Sequence, residues 1–481
     1  VNTTEPELFI DGRFRTANSV EPVTDAATEQ LLGEGPSASP GDIDDAVAAS
    51  RRALPDWSAT PAAERAHFLE RFADALAARA ADTSEVCTRE TGAPITFSRI
   101  MNGLVPQAVV RYYAALIRKT DGEEIRPSAS GHTIVRREPV GVVGAVVPWN
   151  VPQVLAAMKF APALAAGCTV VLKPAPETAL DARAFGEAAA EAGLPPGVLN
   201  VAAGGDKVGA YLVGHPDVDK VAFTGSSEVG RLIAETCGRL LRPVTLELGG
   251  KSAAIILDDA DLESTMLGLR TAAFANNGQT CHASTRILAP RSRYREVVDA
   301  LAEMTASLHV GDPLDEATEI GPLVSARHRE RVLGYIEIGK AEGALLVAGG
   351  SPPVDRPRGW YVAPTLFADV DNSARIAREE IFGPVLTVMP YGTDAEAVDL
   401  ANDSDFGLGG TVWSSDDARA TELARRVHTG TIGINGYQLD VDAPFGGIKA
   451  SGVGRELGPE GLVAYQTLKS IFRLGSPADT T

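Results

Sequence analysis

The sequence predicts an α/β protein made of a doubly wound parallel-sheet unit, a second α/β unit and a small β segment. Three observations carry this: a strand-and-helix rhythm from Arg137 to Gly249, its resumption after Gly250, and two strand-like stretches that fit neither unit. At 481 residues the chain is too long for one ordinary core, because domains cluster near ~100–200 residues. Its apolar and charged fractions are those of a globular protein, and 48 Gly with 31 Pro fall short of a disordered composition.

Residues 40–116 are Ala- and Arg-rich, and helical periodicity at 43–53 and 62–80 predicts helices that pack on the first sheet. Within that unit, apolar and β-branched runs at 142–147, 169–173, 198–201, 220–223 and 244–248 read as strands. Stretches 151–166, 181–193, 206–214 and 228–238 read as the helices between them. Strands separated in this way by helices form a parallel sheet covered on both faces. After Gly250, a strand at 253–257 opens a second α/β stretch that runs to residue 431, with helices near 294–308 and 325–342. The polar segment 122–138 and the alternation at 467–474 present edges that invite pairing with another chain. Oligomer contacts are expected there, an ordinary edge hairpin being the alternative.

Composition excludes several functions. A formal charge of −19 is unsuited to a nucleic-acid partner, which needs clustered Lys and Arg to neutralise phosphates. No run of about 20 apolar residues predicts a membrane span. The opening Val1-Asn2-Thr3-Thr4-Glu5-Pro6-Glu7 lacks the basic and then apolar layout of a secretory leader, so a cytoplasmic protein is expected. The four cysteines, Cys87, Cys168, Cys237 and Cys281, form no disulfide framework or CxxC pair, as in a reducing compartment. Seven scattered histidines show no metal-ligand spacing, and no metal is expected.

Four segments carry candidate chemistry, and each residue type alone allows a bland reading. In Asn276-Asn277-Gly278-Gln279-Thr280-Cys281, Gly and small polar residues leave the backbone free to bring a thiol to a cleft. A solitary Cys is also often an inert buried side chain. Thr245-Leu246-Glu247-Leu248-Gly249-Gly250-Lys251 puts a carboxylate at the C-terminal end of an apolar strand, the edge where such sheets bind ligands. Glu247 there suits a general base with a raised pKa, or a strand-end acid paired to a surface cation. In Val146-Val147-Pro148-Trp149-Asn150, the Asn either caps the following helix or aims its amide at an oxyanion. Phe223-Thr224-Gly225-Ser226-Ser227-Glu228-Val229-Gly230 is a strand, a Gly turn and a helix start, a junction that suits a pyrophosphate. Its G-x-x-x-x-G spacing is not the G-x-G-x-x-G fingerprint.

Together and in this order, the four segments resemble the aldehyde dehydrogenase superfamily. The similarity continues in Lys173-Pro174-Ala175-Pro176-Glu177-Thr178, Glu379-Glu380-Ile381-Phe382-Gly383-Pro384, Pro444-Phe445-Gly446-Gly447-Ile448-Lys449 and Ser451-Gly452-Val453-Gly454-Arg455-Glu456, and spans nearly the whole chain. It implies a dinucleotide-binding domain at 1–121 and 141–249, a catalytic domain at 250–445, and an oligomerisation segment at 122–140 and 465–481 of a homodimer or homotetramer. It implies NAD(P)-dependent oxidation of an aldehyde to an acid. Cys281 would be the nucleophile, Asn150 and the Cys281 amide the oxyanion donors, and Glu247 the base for hydrolysis of a thioester. Trp149, Lys173, Gly225, Ser226, Glu380 and Phe382 match cofactor positions; Val151, Leu155, Met158, Thr280, His282 and Phe445 match positions along the substrate tunnel.

Two departures stand out. Many NAD-preferring relatives carry Glu three positions after the lysine, where this chain has Pro176, so NAD is expected first and NADP is less strongly excluded. Ile448 replaces a common aromatic, with no consequence attached. Val151, Leu155, Met158 and Phe445 offer apolar contact, with no Arg cluster for a second carboxylate and no aromatic box for a quaternary ammonium, so a hydrophobic aldehyde is expected. His282 either tunes substrate polarity or is a neutral wall. The competing readings are a CoA-acylating relative, which usually lacks the base at Glu247, and a non-redox thiol esterase, which leaves Lys173, Ser226 and Glu380 unexplained.

Overall fold

The computed structural model describes residues 5–120 and 122–474. Residues 1–4 and 121 of the expected cofactor domain, and 475–481 of the expected 465–481 segment, lie outside the described residues.

Five parallel strands form the middle of an eight-stranded sheet. Their order across it is Leu199–Val201, Thr169–Lys173, Val142–Val146, Lys220–Thr224, Val244–Glu247. The chain winds outward one way from Val142–Val146, then returns and winds the other way. The order reverses between Val142–Val146 and Lys220–Thr224, and ligands of such sheets gather at the C-terminal ends beside that reversal. The predicted strands stand where expected to within one residue, because runs buried on both faces must be continuously apolar.

The sheet's edges depart from the expectation of a parallel sheet. Glu7–Ile10 pairs antiparallel with Leu199–Val201 and carries Arg13–Thr16 outside it. At the other edge Gly452–Val453, from beyond the expected catalytic domain, pairs antiparallel with Val244–Glu247. Asp11-Gly12, both at positive φ, turns the N-terminal hairpin, and that dipeptide was its available sequence signal.

Helices Pro40–Ala59 and Ala62–Thr91 run longer than their periodicity predicted. Ser39 and Asp42 form a reciprocal cap on the first, and Gly92, at φ +77°, ends the second. All fifteen residues of helix Pro152–Ala166 are buried. That helix threads the core and presents Lys159 from inside it.

The second sheet has seven strands, in the order Leu345–Ala348, Thr365–Ala368, Val385–Tyr391, Arg286–Pro290, Ala253–Ile256, Gly410–Trp413, Gly433–Ile434. All are parallel except the first. The two stretches read as oligomer contacts pair with each other. Gly131–Pro139 lies between Glu123–Ser128 and Gln466–Leu474 in a three-stranded antiparallel sheet, so one edge of each is met within the chain. The partners are more than three hundred residues apart, beyond the reach of local pattern. No helix among the described residues is long and apolar enough to cross a membrane.

Candidate active site

The segment after Val142–Val146 brings Asn150 to the sheet's reversal. Helix Pro152–Ala166 is capped by Val151 without a side-chain hydrogen bond, so Asn150 is not its cap. Instead Asn150 Nδ2 donates to Gln279 O at 3.0 Å, on the loop that carries Cys281. That loop is less free than its residue types suggested. Asn276 and Asn277 adopt φ +53° and +61°, which Asn tolerates better than most residues, and Gly278 follows at +75°. Asn276 Nδ2 donates to Asn150 O at 2.8 Å; Asn277 Nδ2 donates to Gly92 O and Pro322 O, and its Oδ1 accepts from Gly321 N. Gln279 Oε1 accepts from Val324 N. Side-chain amides hold a loop that backbone pairing does not.

Glu247 ends its strand only 3% exposed, and among the described residues neither carboxylate oxygen has a hydrogen-bond partner. Pairing with a surface cation is therefore ruled out. Gly446, at φ +149°, packs its backbone on that carboxylate, where a Cβ would come within 2.5 Å of Oε1. Behind it lies a buried ion pair, Lys159 Nζ to Glu456 Oε1 at 2.7 Å, with Lys159 also donating to Thr224 Oγ1. Burial and the Glu456 charge push the Glu247 carboxyl well above the usual range, against the pull of Lys159 and Arg455. Burial, with the charges of Glu380 and Glu247, pushes the Cys281 thiol up to about 12. The half-buried thiol rests protonated and needs a base nearby.

The Gly249-Gly250 turn is squeezed between two functional groups. Gly250 N donates to Glu380 Oε1 at 2.9 Å. A Cβ on Gly249 would overlap the Glu380 carboxylate, and one on Gly250 would overlap the Cys281 carbonyl. Burial raises Glu380 to about 7.

The remaining cofactor candidates surround the same sheet edge. Lys173 ends its strand buried, with Nζ donating to Pro174 O and Gly204 O at 2.8 and 2.6 Å. Burial lowers it to about 8. Ser226 caps helix Ser227–Arg239, its Oγ accepting from Val229 N at 3.3 Å, while a Cβ on Gly225 would strike the Phe223 ring. Trp149 and Phe382 stand edge to face at 5.5 Å, and His328 completes the group at 5.4 Å from Trp149. Phe382 has φ +65°, and its carbonyl lies 2.6 Å from His328 Nε2. His328 and Lys159 were missed, because each sits in a local sequence that announces only a helix; Glu456 closes a motif quoted for the resemblance, but no role was read for it.

Val151, Leu155, Met158 and Phe445 belong to one buried apolar cluster against which Cys281 packs. Met101, Tyr112, Leu439 and Val441, not foreseen, pack on it too. Thr280 is buried beside the thiol. His282 stacks on Tyr437 with centroids 4.4 Å apart, and meets Phe445 edge-on at 6.4 Å. Burial lowers it to about 4, so it is neutral at pH 7. A cavity of about 260 Å³ adjoins these rings, lined by Thr431, Tyr437, Leu439, Asp440 and Phe445. Away from the crevice, Cys87, Glu90 and Asp181 come together buried, a grouping that local metal-ligand spacing could not reveal; Cys87 and Gln153 donate to Asp181.

The sequence profile of the aldehyde dehydrogenase family matches residues 14–471. Geranial dehydrogenase of Castellaniella defragrans is 53% identical over 97% of this chain and 98% of its own length. Betaine aldehyde dehydrogenase of Beta vulgaris chloroplasts is 39% identical over 97% of this chain and 95% of its own. Among solved structures, a Mycobacterium tuberculosis aldehyde dehydrogenase complexed with NAD+ superposes with a TM-score of 0.97 at 46% identity, covering 100% of both chains. A mutant aldehyde dehydrogenase C of Pseudomonas syringae, complexed with NAD+ and octanal, does so with a TM-score of 0.95 at 39% identity, covering 99% and 98%. With the Cys281 loop, strand-end carboxylate and Gly-Gly turn in one crevice, this chain belongs to the aldehyde dehydrogenase family.

Proposed function

We propose that this aldehyde dehydrogenase oxidises a hydrophobic aldehyde to its carboxylic acid with NAD and water, through a thiohemiacetal and then a thioester on Cys281. The observation that carries the reading is Glu247, a buried carboxylate without a partner in the crevice of Cys281 and Asn150. As the Cys281 sulfur attacks the aldehyde carbon, Glu247 takes the thiol proton. Asn150 keeps an N–H beyond the one given to Gln279, and with the Cys281 backbone N–H it stabilises the oxyanion. Glu380, Trp149 and Phe382 would hold NAD+, which would supply the hydride acceptor that takes the thiohemiacetal to the thioester. Once Glu247 has released the thiol proton to solvent, it takes a proton from the water that attacks the thioester, and that proton returns to the departing sulfur as the carboxylic acid forms, restoring the Cys281 thiol. Hydrolysis is favoured over CoA transfer because a base is in place.

The residues present fit a dinucleotide. The helix start at Gly225 and Ser226 offers backbone N–H groups to a pyrophosphate, and the buried Lys173 stands at the adjoining strand end. Glu380 on the Gly-Gly turn, with the rings of Trp149 and Phe382, would hold the nicotinamide riboside half. Residues 1–121 and 141–249 would form the cofactor domain and 250–445 the catalytic domain of a homodimer or homotetramer.

The apolar cluster around Val151, Leu155, Met158 and Phe445 and the neutral His282–Tyr437 stack support a hydrophobic substrate. The similarity to a geranial dehydrogenase agrees with it. The test follows reduced-cofactor absorbance with geranial, octanal, betaine aldehyde and succinic semialdehyde, each with NAD and NADP. Highest kcat/KM for the first two with NAD is expected. Preference for either charged aldehyde would overturn the substrate class, and a requirement for CoA would overturn hydrolysis.

A further inference from the structure

The strand Ser19–Thr24 pairs with Leu31–Ser37 as a hairpin separate from the large sheets. Its Val23 and Leu32 pack on Ala179, Leu180 and Ala203, and Ala38 N donates to Ala203 O at 2.8 Å. The fit is close: a Cβ on Gly35 would lie 2.7 Å from that of Ala179, and one on Gly33 would lie 3.1 Å from the Leu180 side chain. The hairpin is thereby seated against two strand ends, the turn after Thr169–Lys173 and the loop after Leu199–Val201. Lys173 stands at this corner, and in the proposed dinucleotide site it would meet the adenosine ribose.

Glu21 stands on the hairpin at that corner. Its Oε1 accepts from Ser37 Oγ at 3.0 Å, which orients the carboxylate, and lies 4.0 Å from the Cβ position of Gly205. The neighbouring carbonyl, Gly204 O, accepts from Lys173 Nζ at 2.6 Å. Glu177, Asp206 and, least of the three, Glu21 are the carboxylates whose charges act on that amine. Glu177 and Asp206 are exposed, whereas Glu21 is half-buried and held. Pro176, where an acid was expected, has no side-chain group to accept a hydrogen bond.

We propose that Glu21 sets the cofactor preference of this chain, standing in from the hairpin for the acid absent at Pro176. A carboxylate there accepts a hydrogen bond from a ribose 2′-hydroxyl and repels a 2′-phosphate, so NAD is taken and NADP refused. The inference rests on the reading of the crevice as a dinucleotide site.

Calorimetric titration of the purified full chain with NAD and with NADP tests it, without turnover, on wild type, Glu21→Gln and Glu177→Gln. Wild type is expected to bind NAD at least ~10-fold more tightly than NADP, and Glu21→Gln to narrow that ratio by about 5–10-fold, chiefly through tighter NADP. Glu177→Gln is expected to move the ratio less than about twofold. A ratio unchanged in Glu21→Gln, or moved further by Glu177→Gln, overturns the assignment. Should Glu21→Gln fail to fold, Ser37→Ala releases the same carboxylate from its anchor and is expected to narrow the ratio in the same direction; no change there also overturns it. Wild type that binds neither dinucleotide overturns the cofactor reading itself, a result distinguishable from the others.

Discussion

Glu247 costs the fold stability for the same reason that would suit it to the proposed reaction. A carboxylate 3% exposed with neither oxygen satisfied is held against its desolvation, and the nearby Glu456 adds repulsion. Its folded pKa is raised, so above the unfolded carboxyl range near ~4 the folded state binds more protons than the unfolded one, and stability falls as pH rises. Gln has no proton to lose. Glu247→Gln is therefore expected to match wild type near pH ~4 and to exceed it at pH ~8 by about 1–3 kcal/mol, read from urea unfolding at both. A variant less stable than wild type at the higher pH would contradict the unsatisfied carboxylate. The same variant separates the two chemical steps. The first equivalent of reduced cofactor per site should form more slowly, because the thiol loses its base, and steady-state turnover should drop ~10²–10⁴-fold. A first equivalent that forms at the wild-type rate would confine Glu247 to activating the water. Asn150→Ala should lower kcat ~10²-fold with Cys281 still open to alkylation, because the amide serves the oxyanion and not the sulfur.

At the scale of elements, the Gly249-Gly250 turn couples the two halves of the crevice, and its two positions can be told apart. A methyl at 249 meets Glu380, whereas a methyl at 250 meets the carbonyl of Cys281. Gly249→Ala should raise KM for NAD and spare kcat, and Gly250→Ala should lower kcat and spare KM, each with about 1–3 kcal/mol of lost stability from overpacking. Equal effects on both constants in both variants would show that the turn acts only as structure. These strand-end elements were the most legible in the sequence. Doubly buried strands are apolar runs, and each ends at a Gly turn or a helix start, so Asn150, Lys173, Ser226 and Glu247 could be placed on one edge before any coordinates. The nucleophile loop was legible as a motif but not as an object. Its rigidity comes from Asn276 and Asn277 bonding to Asn150, Gly92 and Pro322, which no local pattern connects. The Lys159–Glu456 pair was hidden likewise, because Lys159 lies in a helix whose every residue is buried, leaving no amphipathic face to mark it.

For the whole molecule, the three-stranded sheet is the part that the isolated chain does not complete. Side chains alternate across a strand, so Leu468, Phe472 and Leu474 share one face of Gln466–Leu474, while Ile471 faces the other side with Ile134 and Ile125. Phe472, Leu474, Leu468 and Ile125 are 76%, 83%, 68% and 65% exposed. Among the described residues, apolar side chains show on both faces of this small sheet and no strand pairs with either outer edge, features that suit a surface for association. Pairing within the chain met only the inner edges, so the expectation of a homo-oligomer still has a surface to rest on. Phe472→Glu combined with Leu468→Glu buries two charges in any such contact without touching the crevice, and should weaken assembly by at least ~100-fold. Sedimentation velocity at micromolar concentration is expected to show wild type as one assembled species and the double variant as a smaller one, with unchanged far-UV circular dichroism. A wild-type monomer across that range, or a double variant that sediments as wild type does, would remove this sheet from the assembly.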